Sequence, residues 1–313
     1  MAHDANAINL STLATDGDIR YAAQIHQEIN LLLADRGSGI LDHPAMMYLG
    51  DFAGKGANVF EIPLTGLDGY NRMAAVAENA DASVTALTNA SPQLTIARQA
   101  LYRQVTGMAA LTAWLSGDPA ELSRLAQDMV GAARMRLVEM FAEIVDDFSS
   151  TVGATTVDLS VDDFFDAQYT LTQASVSGPY ACLLYPVQVT DLQGSIRAEA
   201  GALQFIAATQ EMLSIKGPDF VGSFNGVDIF ASTLIPTANG GADSAGGMWG
   251  RGAIGYGDMS TSLIPEMGIP AGTKIRVGTD YDEVGDYNRI VGNYYVGVVE
   301  IQDAMGVSII TDR

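Results

Sequence analysis

Thiols, histidines and basic side chains are scarce in this sequence of 313 residues. Cys182 is the only cysteine, so no disulfide can form within the chain. Because its neighbours are apolar, we predict a buried and inert thiol rather than a nucleophile. The three histidines, His3, His26 and His43, show no spacing typical of a metal site. These absences leave no candidate catalytic, metal-binding or cofactor-binding residue, and we expect a protein that is not an enzyme.

The shortage of basic residues makes the chain strongly acidic. Lysine and arginine together number 16, against 37 aspartates and glutamates, which gives a net charge of −21. A surface this acidic repels nucleic acid and does not bind it. The charge fits either a wall that encloses DNA without binding it or simple solubility, and both interpretations stay open at this point.

Long apolar runs are also missing. No stretch approaches the roughly 18 consecutive apolar residues that a membrane-spanning helix needs. The first residues, Met-Ala-His-Asp-Ala-Asn, lack the basic start and apolar core of a signal peptide. We therefore expect a protein that is made in the cytoplasm, is soluble there, and has no membrane partner.

The stretch GDFAGKG, from Gly50 to Gly56, resembles a phosphate-binding loop in its glycines and lysine. Such a loop needs four residues between its first two glycines, a serine or threonine after the lysine, and a following helix. Here the gap is three residues, Gly56 stands in place of the hydroxyl, and the alternating residues 58–64 predict a strand. We therefore predict a glycine hinge that leads into an extended arm.

Two further stretches match functional motifs by letters alone. Residues 250–255, GRGAIG, have the glycine spacing of a dinucleotide-binding turn, but they follow a glycine-rich loop and open no helix. The acidic stretch that starts at Asp280 begins like a calcium loop, but Val284 and Val291 occupy ligand positions. We predict neither kind of site and expect a solvated acidic turn near Asp280.

Local patterns predict an extended arm in the first third of the chain. A helix is predicted over roughly residues 18–36, after a polar stretch. Strands are predicted at 58–64 and 94–105, on either side of a turn and the small-residue segment 73–82. The second strand would span about 40 Å at ~3.3 Å per residue. Because an isolated two-stranded ribbon of this length is only marginally stable, we expect it to pack on another subunit.

A long helix is the strongest local prediction. Asp118 at the N-cap, Pro119 at the first helical position and Glu121 at the third form a helix start. Apolar residues then recur at spacings of three and four. The predicted helix 118–148 would be about 45 Å long at ~1.5 Å per residue, well above the average for globular proteins.

Two arginines on this helix, Arg134 and Arg136, flank Met135. A pair of cations on a helix can mark a phosphate site. Glu139 and Glu143 follow within one or two turns, so we predict ion pairs with these residues or with a neighbouring subunit.

The rest of the chain has the pattern of mixed helices and strands. Ser160 begins a second helix with a capping box. The later predictions are a strand at 183–189, a helix at 200–215 closed by Gly217 and Pro218, a loop at 239–247, and strands at 274–277, 294–301 and 307–310. The predicted fold class is therefore α+β.

In order and pattern these elements resemble the major capsid proteins of tailed phages of the Hong Kong 97 type. Residues 59–64 resemble the first strand of the extended loop in that family, 76–80 the tip, and 94–105 the returning strand. Residues 224–236 resemble the strand and turn that precede the long loop of the axial domain. The resemblance covers nearly the whole chain and implies an α+β, Hong Kong 97-like capsid fold.

The resemblance also implies a division of the chain into four parts. These are an N-terminal arm with a helix at 1–48, an extended β-hairpin loop at 49–106, a peripheral domain at 107–184 and 271–300 with the spine helix 118–148, and an axial domain at 185–270 and 301–313. Some relatives cross-link their subunits through a lysine on the extended loop. Lys55 lies only at the base of that loop, so we do not expect cross-linking here.

The function implied by the resemblance is that of a structural shell protein. Copies would associate as pentamers and hexamers and tile the icosahedral head of a virion around packaged double-stranded DNA, without sequence-specific binding. Portal, scaffold or decoration proteins would be further partners, assembly would take place in the host cytoplasm, and no cofactor is implied. The chain has no long N-terminal extension to act as a built-in scaffold, so a separate scaffold or none is expected.

Other functions remain open. An encapsulin-like nanocompartment shell would have the same fold and would enclose protein instead of DNA. A soluble enzyme with an unrecognised acidic site is an alternative of a different class, against which the missing motifs stand. A phage tail or decoration protein is a further alternative, and the long predicted helix argues against it.

Overall fold

The computed structural model describes residues 39–62, 64–65, 89–106, 120–199, 205–260, 273–282 and 285–313. The predictions for the N-terminal helix, for the segment 73–82 and for the cap at Asp118 and Pro119 lie outside these ranges. Helices and strands are mixed along the described chain, which confirms the predicted α+β class.

Strands and helices are numbered here in chain order. The strands are β1 (Met47–Asp51), β2 (Val59–Glu61), β3 (Leu64–Thr65), β4 (Asn89–Ala90), β5 (Gln93–Thr95), β6 (Ala97–Thr106), β7 (Thr151–Val152), β8 (Tyr180–Leu184), β9 (Ile206–Ala207), β10 (Phe220–Phe224), β11 (Val227–Ala231), β12 (Thr237–Ala238), β13 (Asp243–Trp249), β14 (Ile254–Asp258), β15 (Ile275–Asp282), β16 (Tyr287–Glu300) and β17 (Gly306–Asp312). The helices are α1 (Ala120–Asp146), α2 (Val161–Gln173), α3 (Pro186–Ala198) and α4 (Gln210–Lys216). Single turns of 3-10 helix lie at Gly39–Asp42, Asn239–Gly241 and Asp303–Met305.

Two sheets organise the described chain. The five-stranded sheet has the order β1-β14-β16-β15, and β6 also pairs with β16. The eight-stranded sheet has the order β7-β17-β13-β8-β11-β10-β9, and β12 pairs with β13. The pairs β2–β5 and β3–β4 are antiparallel. Strands from distant parts of the sequence therefore meet in both sheets.

The long helix α1 packs against both sheets. Its apolar face is buried, as the spacing of three and four predicts. Met129 lies beside Gly292 of the five-stranded sheet, and Val145 lies beside Gly247 of the eight-stranded sheet. Ser308 donates a hydrogen bond of 2.5 Å to the carbonyl oxygen of Val145 and so satisfies one of the last carbonyls of the helix. The predicted long helix is confirmed over the part that the structure describes.

Two further helices cover the other face of the eight-stranded sheet. The predicted capping box at the start of α2 is confirmed: Ser160 Oγ accepts from the Asp163 amide at 3.2 Å, and Asp163 Oδ2 accepts from the Ser160 amide at 3.1 Å. Phe164 and Leu171 of α2 and Leu192 of α3 are buried in an apolar cluster with strand residues. The sheet is therefore enclosed between α1 on one side and α2 and α3 on the other.

The predicted strand 183–189 is wrong in its second half. Strand β8 ends at Leu184, and Pro186 opens α3 at a position where the fixed φ of proline favours a helix start. Gln188 Oε1 accepts from the Tyr185 amide at 2.9 Å and caps the helix. The apolar residues after Leu184 thus belong to a helix face and not to a strand.

The predicted helix 200–215 is also shorter than expected. Residues 205–209 are extended, and Ile206–Ala207 forms β9, which pairs with β10. Thr209 Oγ1 accepts from the Met212 amide at 3.3 Å, so α4 is capped at this threonine. Gly217, with φ of +88°, ends the helix where predicted.

The prediction of a loop at 239–247 is wrong beyond residue 242, because β13 begins at Asp243. β13 is a fully buried strand in the eight-stranded sheet, and its glycines permit close packing rather than a turn. A Cβ on Gly246 would lie 2.7 Å from the carbonyl oxygen of Leu183. A Cβ on Gly247 would lie 2.5 Å from Val145 Cγ1. Composition alone suggested a loop because these contacts come from distant residues.

The predicted strand 94–105 is broken at Ile96. β5 pairs with β2, whereas β6 pairs along ten residues with β16. Most of the predicted strand is therefore paired within this chain, and its packing on another subunit stays a prediction. The strands predicted at 274–277, 294–301 and 307–310 are present, and β15 and β16 extend well beyond the predicted ends.

Candidate assembly surfaces

The stretch 50–56 forms a turn between β1 and β2. Gly50, Gly54 and Gly56 have φ of +110°, +76° and +72°, which glycine adopts without strain. A strand follows and no helix does, so the turn has no helix N-terminus to face a phosphate. Lys55 Nζ lies 4.4 Å from the centre of the Phe52 ring. The predicted glycine hinge is confirmed and the phosphate-loop interpretation fails.

The paired strands β2 and β5 are packed against the body of the molecule. Phe52 and Phe60 stack with ring centres 4.4 Å apart, and Leu94 is fully buried beside them. A Cβ on Gly297 of β16 would lie 2.3 Å from the carbonyl oxygen of Thr95, so β5 lies directly against the five-stranded sheet.

The two other sequence motifs lie at or in strands. Residues 250–255 turn into β14 and open no helix, as predicted. Asp280 and Asp282 lie in β15 and not in the solvated turn that we expected. Asp282 accepts hydrogen bonds from Tyr287 at 2.9 Å and from Arg289. No group of three or more potential metal ligands occurs in the described ranges.

Cys182 and His43, the cysteine and the one histidine within the described residues, are both buried. Burial raises the pKa of the Cys182 thiol, in keeping with the predicted inert cysteine. His43 hydrogen-bonds Asp228 within the fold. His3 and His26 lie outside the described residues.

Ion pairs form between α1 and the strand β6 and also along α1 itself. Arg103 donates to both carboxylate oxygens of Asp128, at 2.7 and 3.0 Å, and this lowers the pKa of Asp128. Arg136 pairs with Glu139 at 2.6 Å and Glu143 at 3.5 Å, as predicted. The Arg103–Asp128 pair had no sequence signal, because the two residues belong to elements whose contact is set by the fold.

Exposed apolar side chains mark candidate contacts between copies. Met135 of α1 is 64% exposed, and Ile215 of α4 is 66% exposed. Ile206 and Ile215 lie on β9 and α4, which both pack against β10. Further exposed apolar side chains are Met47, Tyr48, Val59, Tyr102, Val157, Tyr169 and Val187. No helix in the described ranges is long and apolar enough to cross a membrane.

Carboxylates crowd around the C-terminal end of α1. Burial and then the charge of Asp147 raise the pKa of Asp146. Burial, and then Asp303 and Asp147, raise the pKa of Glu300. Ser149 donates its backbone amide to Asp303 at 2.8 Å. This acidic region faces no cation that the described contacts show, in keeping with the strongly negative chain.

No protein-family model and no curated protein matches this sequence. Solved structures do match in fold. The capsid of Ralstonia phage GP4 is similar over 90% of this chain and 92% of its own, with 12% identity and a TM-score of 0.56. A structure from Mycobacterium phage Che8 is similar over 81% of this chain and 84% of its own, with 15% identity and a TM-score of 0.53. The SrpI encapsulin of Synechococcus elongatus PCC 7942 is similar over 88% of both chains, with 9% identity and a TM-score of 0.60.

The chain has the fold of a phage capsid subunit. This confirms the resemblance predicted from the order of the elements, and the encapsulin shares the fold. At identities between 9% and 15% the likeness establishes the fold alone.

Proposed function

We propose that this protein is the major capsid protein of a tailed bacteriophage, which self-assembles into pentamers and hexamers of an icosahedral head that encloses double-stranded DNA. The observation that carries the proposal is the likeness to a phage capsid subunit over about nine-tenths of both chains. A match of that extent involves the whole body of the molecule and not one shared motif. A shell subunit acts through its contacts, so we propose no catalytic role and no cofactor.

The roles that we propose for the parts of the chain are those of the Hong Kong 97 type. An N-terminal arm at 1–48 and an extended loop at 49–106 would reach over neighbouring copies. A peripheral domain would be built on α1, and an axial domain on the eight-stranded sheet would meet its copies at the ring centres. Pairing in the sheets supports three adjustments to the sequence boundaries: β7 and β8 belong on the axial side, and β14 belongs on the peripheral side.

The negative charge suits a shell that encloses DNA. A shell of copies that each carry a net charge of −21 would let packaged DNA move without adhering to its wall. Portal, scaffold or decoration proteins would be the other partners, assembled with the shell in the host cytoplasm.

An encapsulin-like shell that encloses protein is the second candidate, because the SrpI encapsulin has the same fold with a TM-score of 0.60. The two candidates share their assembly and differ in their cargo. Charge does not separate them, since both kinds of shell can be acidic. The genes beside this one would separate them, since a terminase and a portal protein would indicate a phage.

Negative-stain electron microscopy of the purified protein, with light scattering on the same sample, tests the proposal. Closed shells or five- and six-membered rings are the expected result. A monomer that persists across salt and protein concentrations, also when proteins encoded by adjacent genes are present, would overturn it. For the cargo, particles from the natural source would contain nuclease-protected DNA in a phage head and a bound protein in a nanocompartment.

A further inference from the structure

Residues 39–52 cross from one sheet to the other, and we call this segment the strap. It begins in the 3-10 turn Gly39–Asp42 and ends just after β1, which pairs in parallel with β14. Ile40, Leu41, Ala45 and Met46 are buried in one apolar cluster. That cluster also contains residues of α1 and of both sheets, so the strap packs where the two sheets meet.

The first polar contact of the strap is made by His43. Its Nδ1 accepts a hydrogen bond from the Ala45 amide at 3.1 Å, which places the ring proton on Nε2. Nε2 donates to Asp228 Oδ2 of β11 at 3.1 Å. Lys216 Nζ lies 2.6 Å from the same carboxylate oxygen. The His43 side chain is only 3% exposed, so this end of the strap is held inside the fold.

The second polar contact is made by Tyr48. Its hydroxyl donates to Asp258 Oδ1 of β14 at 2.6 Å. Lys274 Nζ forms an ion pair of 2.6 Å with Asp258 Oδ2, and the Asp258 side chain is 1% exposed. The Phe52 amide donates to the carbonyl oxygen of Asp258 at 2.8 Å. The strap therefore reaches Asp258 through both a side chain and the backbone.

The two contacts have the same construction. Each consists of an aspartate from a sheet, a donor from the strap and a lysine that lies over an aromatic ring. Lys216 lies 4.6 Å from the Phe220 ring centre, and Lys274 lies 4.9 Å from that of Tyr48. The chain has only three lysines, and the third, Lys55, lies over Phe52 at the end of the strap.

The carboxylates of Asp258, which is buried, and of Asp228, which is half-buried, explain why the strap would be held firmly. An ionised carboxylate out of water is unfavourable unless charges and hydrogen-bond donors surround it. Asp228 and Asp258 each receive one donor from the strap, so removal of the strap would leave both carboxylates with fewer partners. This loss of partners would destabilise both sheets, because Asp228 belongs to one sheet and Asp258 to the other.

We propose that the strap locks the two sheets in one relative arrangement, with the His43–Asp228–Lys216 and Tyr48–Asp258–Lys274 clusters as its two anchors. The strap acts as one unit, so that a loosened anchor at either end frees the segment along its whole length. This property belongs to the single chain and does not depend on the cargo or on the proposed function.

Hydrogen–deuterium exchange on the full chain tests the proposal. Tyr48→Phe removes one donor and keeps the ring, and Lys216→Met removes one charge and keeps the stem. We expect Tyr48→Phe to raise exchange of the β1 amides about five- to tenfold, the size expected for one partly buried hydrogen bond. Lys216→Met should also raise exchange in β1, although Lys216 contacts no residue of that strand in the described contacts.

Arg103→Met is the matched control, because it removes a cation from an aspartate away from the strap. It should leave the exchange of residues 43–52 unchanged. The proposal is overturned if each variant affects only the amides beside its own anchor, because the strap is then two separate contacts. It is also overturned if exchange rises equally in β13, because the variants then act on the stability of the whole fold.

Discussion

Among single residues, two carboxylates have pKa values shifted in opposite directions by their surroundings. Burial opposes the ionisation of Asp228, but hydrogen bonds from His43 and Lys216 outweigh it and hold its pKa below the usual range. Burial and the nearby carboxylates of Asp303 and Asp147 raise the pKa of Glu300. The donors that surround a carboxylate therefore decide whether its charge stabilises the fold.

Asp228→Asn is expected to destabilise the protein at neutral pH by about 1–3 kcal/mol, because His43 and Lys216 lose their charged acceptor. A folded-state pKa below the unfolded value means that the ionised carboxyl contributes stability above about pH 4, and that this contribution is lost as the pH falls through the folded-state pKa. Urea unfolding of both proteins between pH 3 and 8 measures this contribution to the free energy of unfolding. The gap between variant and native protein should shrink below about pH 4, and a gap constant with pH would contradict the electrostatic explanation.

Glu300→Gln is expected to change the free energy of unfolding in the opposite direction, so that the variant is stabilised at neutral pH. A folded-state pKa above the unfolded value means that the ionised carboxyl opposes folding, fully above the folded-state pKa and not at all below the unfolded value of about 4.3. The variant should therefore be the more stable protein at pH 7 and should lose this advantage in acid. The same urea series measures the difference, and a variant that is less stable at pH 7 would show that the Asp303 contact is favourable.

Gly247→Ala is expected to destabilise the fold by about 1–3 kcal/mol through overpacking. The new Cβ would lie 2.5 Å from Val145 Cγ1 and 2.6 Å from the carbonyl oxygen of Val307, and a backbone atom has little room to move. Gly194→Ala in α3 is the control, because no atom lies within 4 Å of its added Cβ. Thermal unfolding of both variants tests the argument, which fails if Gly247→Ala is neutral.

At the scale of elements, α1 carries a glycine in its interior. Gly131 has no neighbour within 4 Å of an added Cβ, and glycine in a helix is unfavourable relative to alanine. Gly131→Ala is expected to stabilise the isolated subunit by about 0.5–1 kcal/mol, measured by thermal unfolding. A loss of stability would mean that the glycine is needed for a contact that the single chain does not show.

Elements with local signals were predicted well from the sequence. The apolar spacing of α1 and the capping box at Ser160 are encoded within a few turns, so neither depends on distant partners. The hinge at 50–56 and the stop at Gly217 are also local, because glycine alone adopts their positive φ without strain. The fold class and the capsid resemblance follow from the order of such elements.

Elements defined by distant contacts were predicted poorly. β13 contains glycines because Val145 and Leu183 approach its backbone, and both residues lie far away in the sequence. β6 pairs with β16, nearly two hundred residues later, so no local pattern could identify its support. The strap anchors are missed for the same reason, since Tyr48 and Asp258 meet only in the folded chain.

At the scale of the whole molecule, α1 and the strap both connect the two sheets, and the surface is strongly acidic. The connections give each copy a defined shape, which the proposed shell would require of its subunits. The net charge of −21 makes copies repel one another. Assembly as proposed would therefore have to gain more from contact surfaces than it loses to repulsion.

Assembly is expected to depend on salt in a definite direction. The Debye length falls from about 30 Å at 0.01 M to about 8 Å at 0.15 M ionic strength, so repulsion between acidic copies is largely screened at the higher value. Light scattering during a salt titration should therefore show the onset of rings or shells as ionic strength rises across this range. A neutral osmolyte at matched osmolarity is the control and should not produce the onset. Particles that dissociate as salt increases would show that attractive ion pairs between copies dominate, and the acidic surface would then be part of the interface.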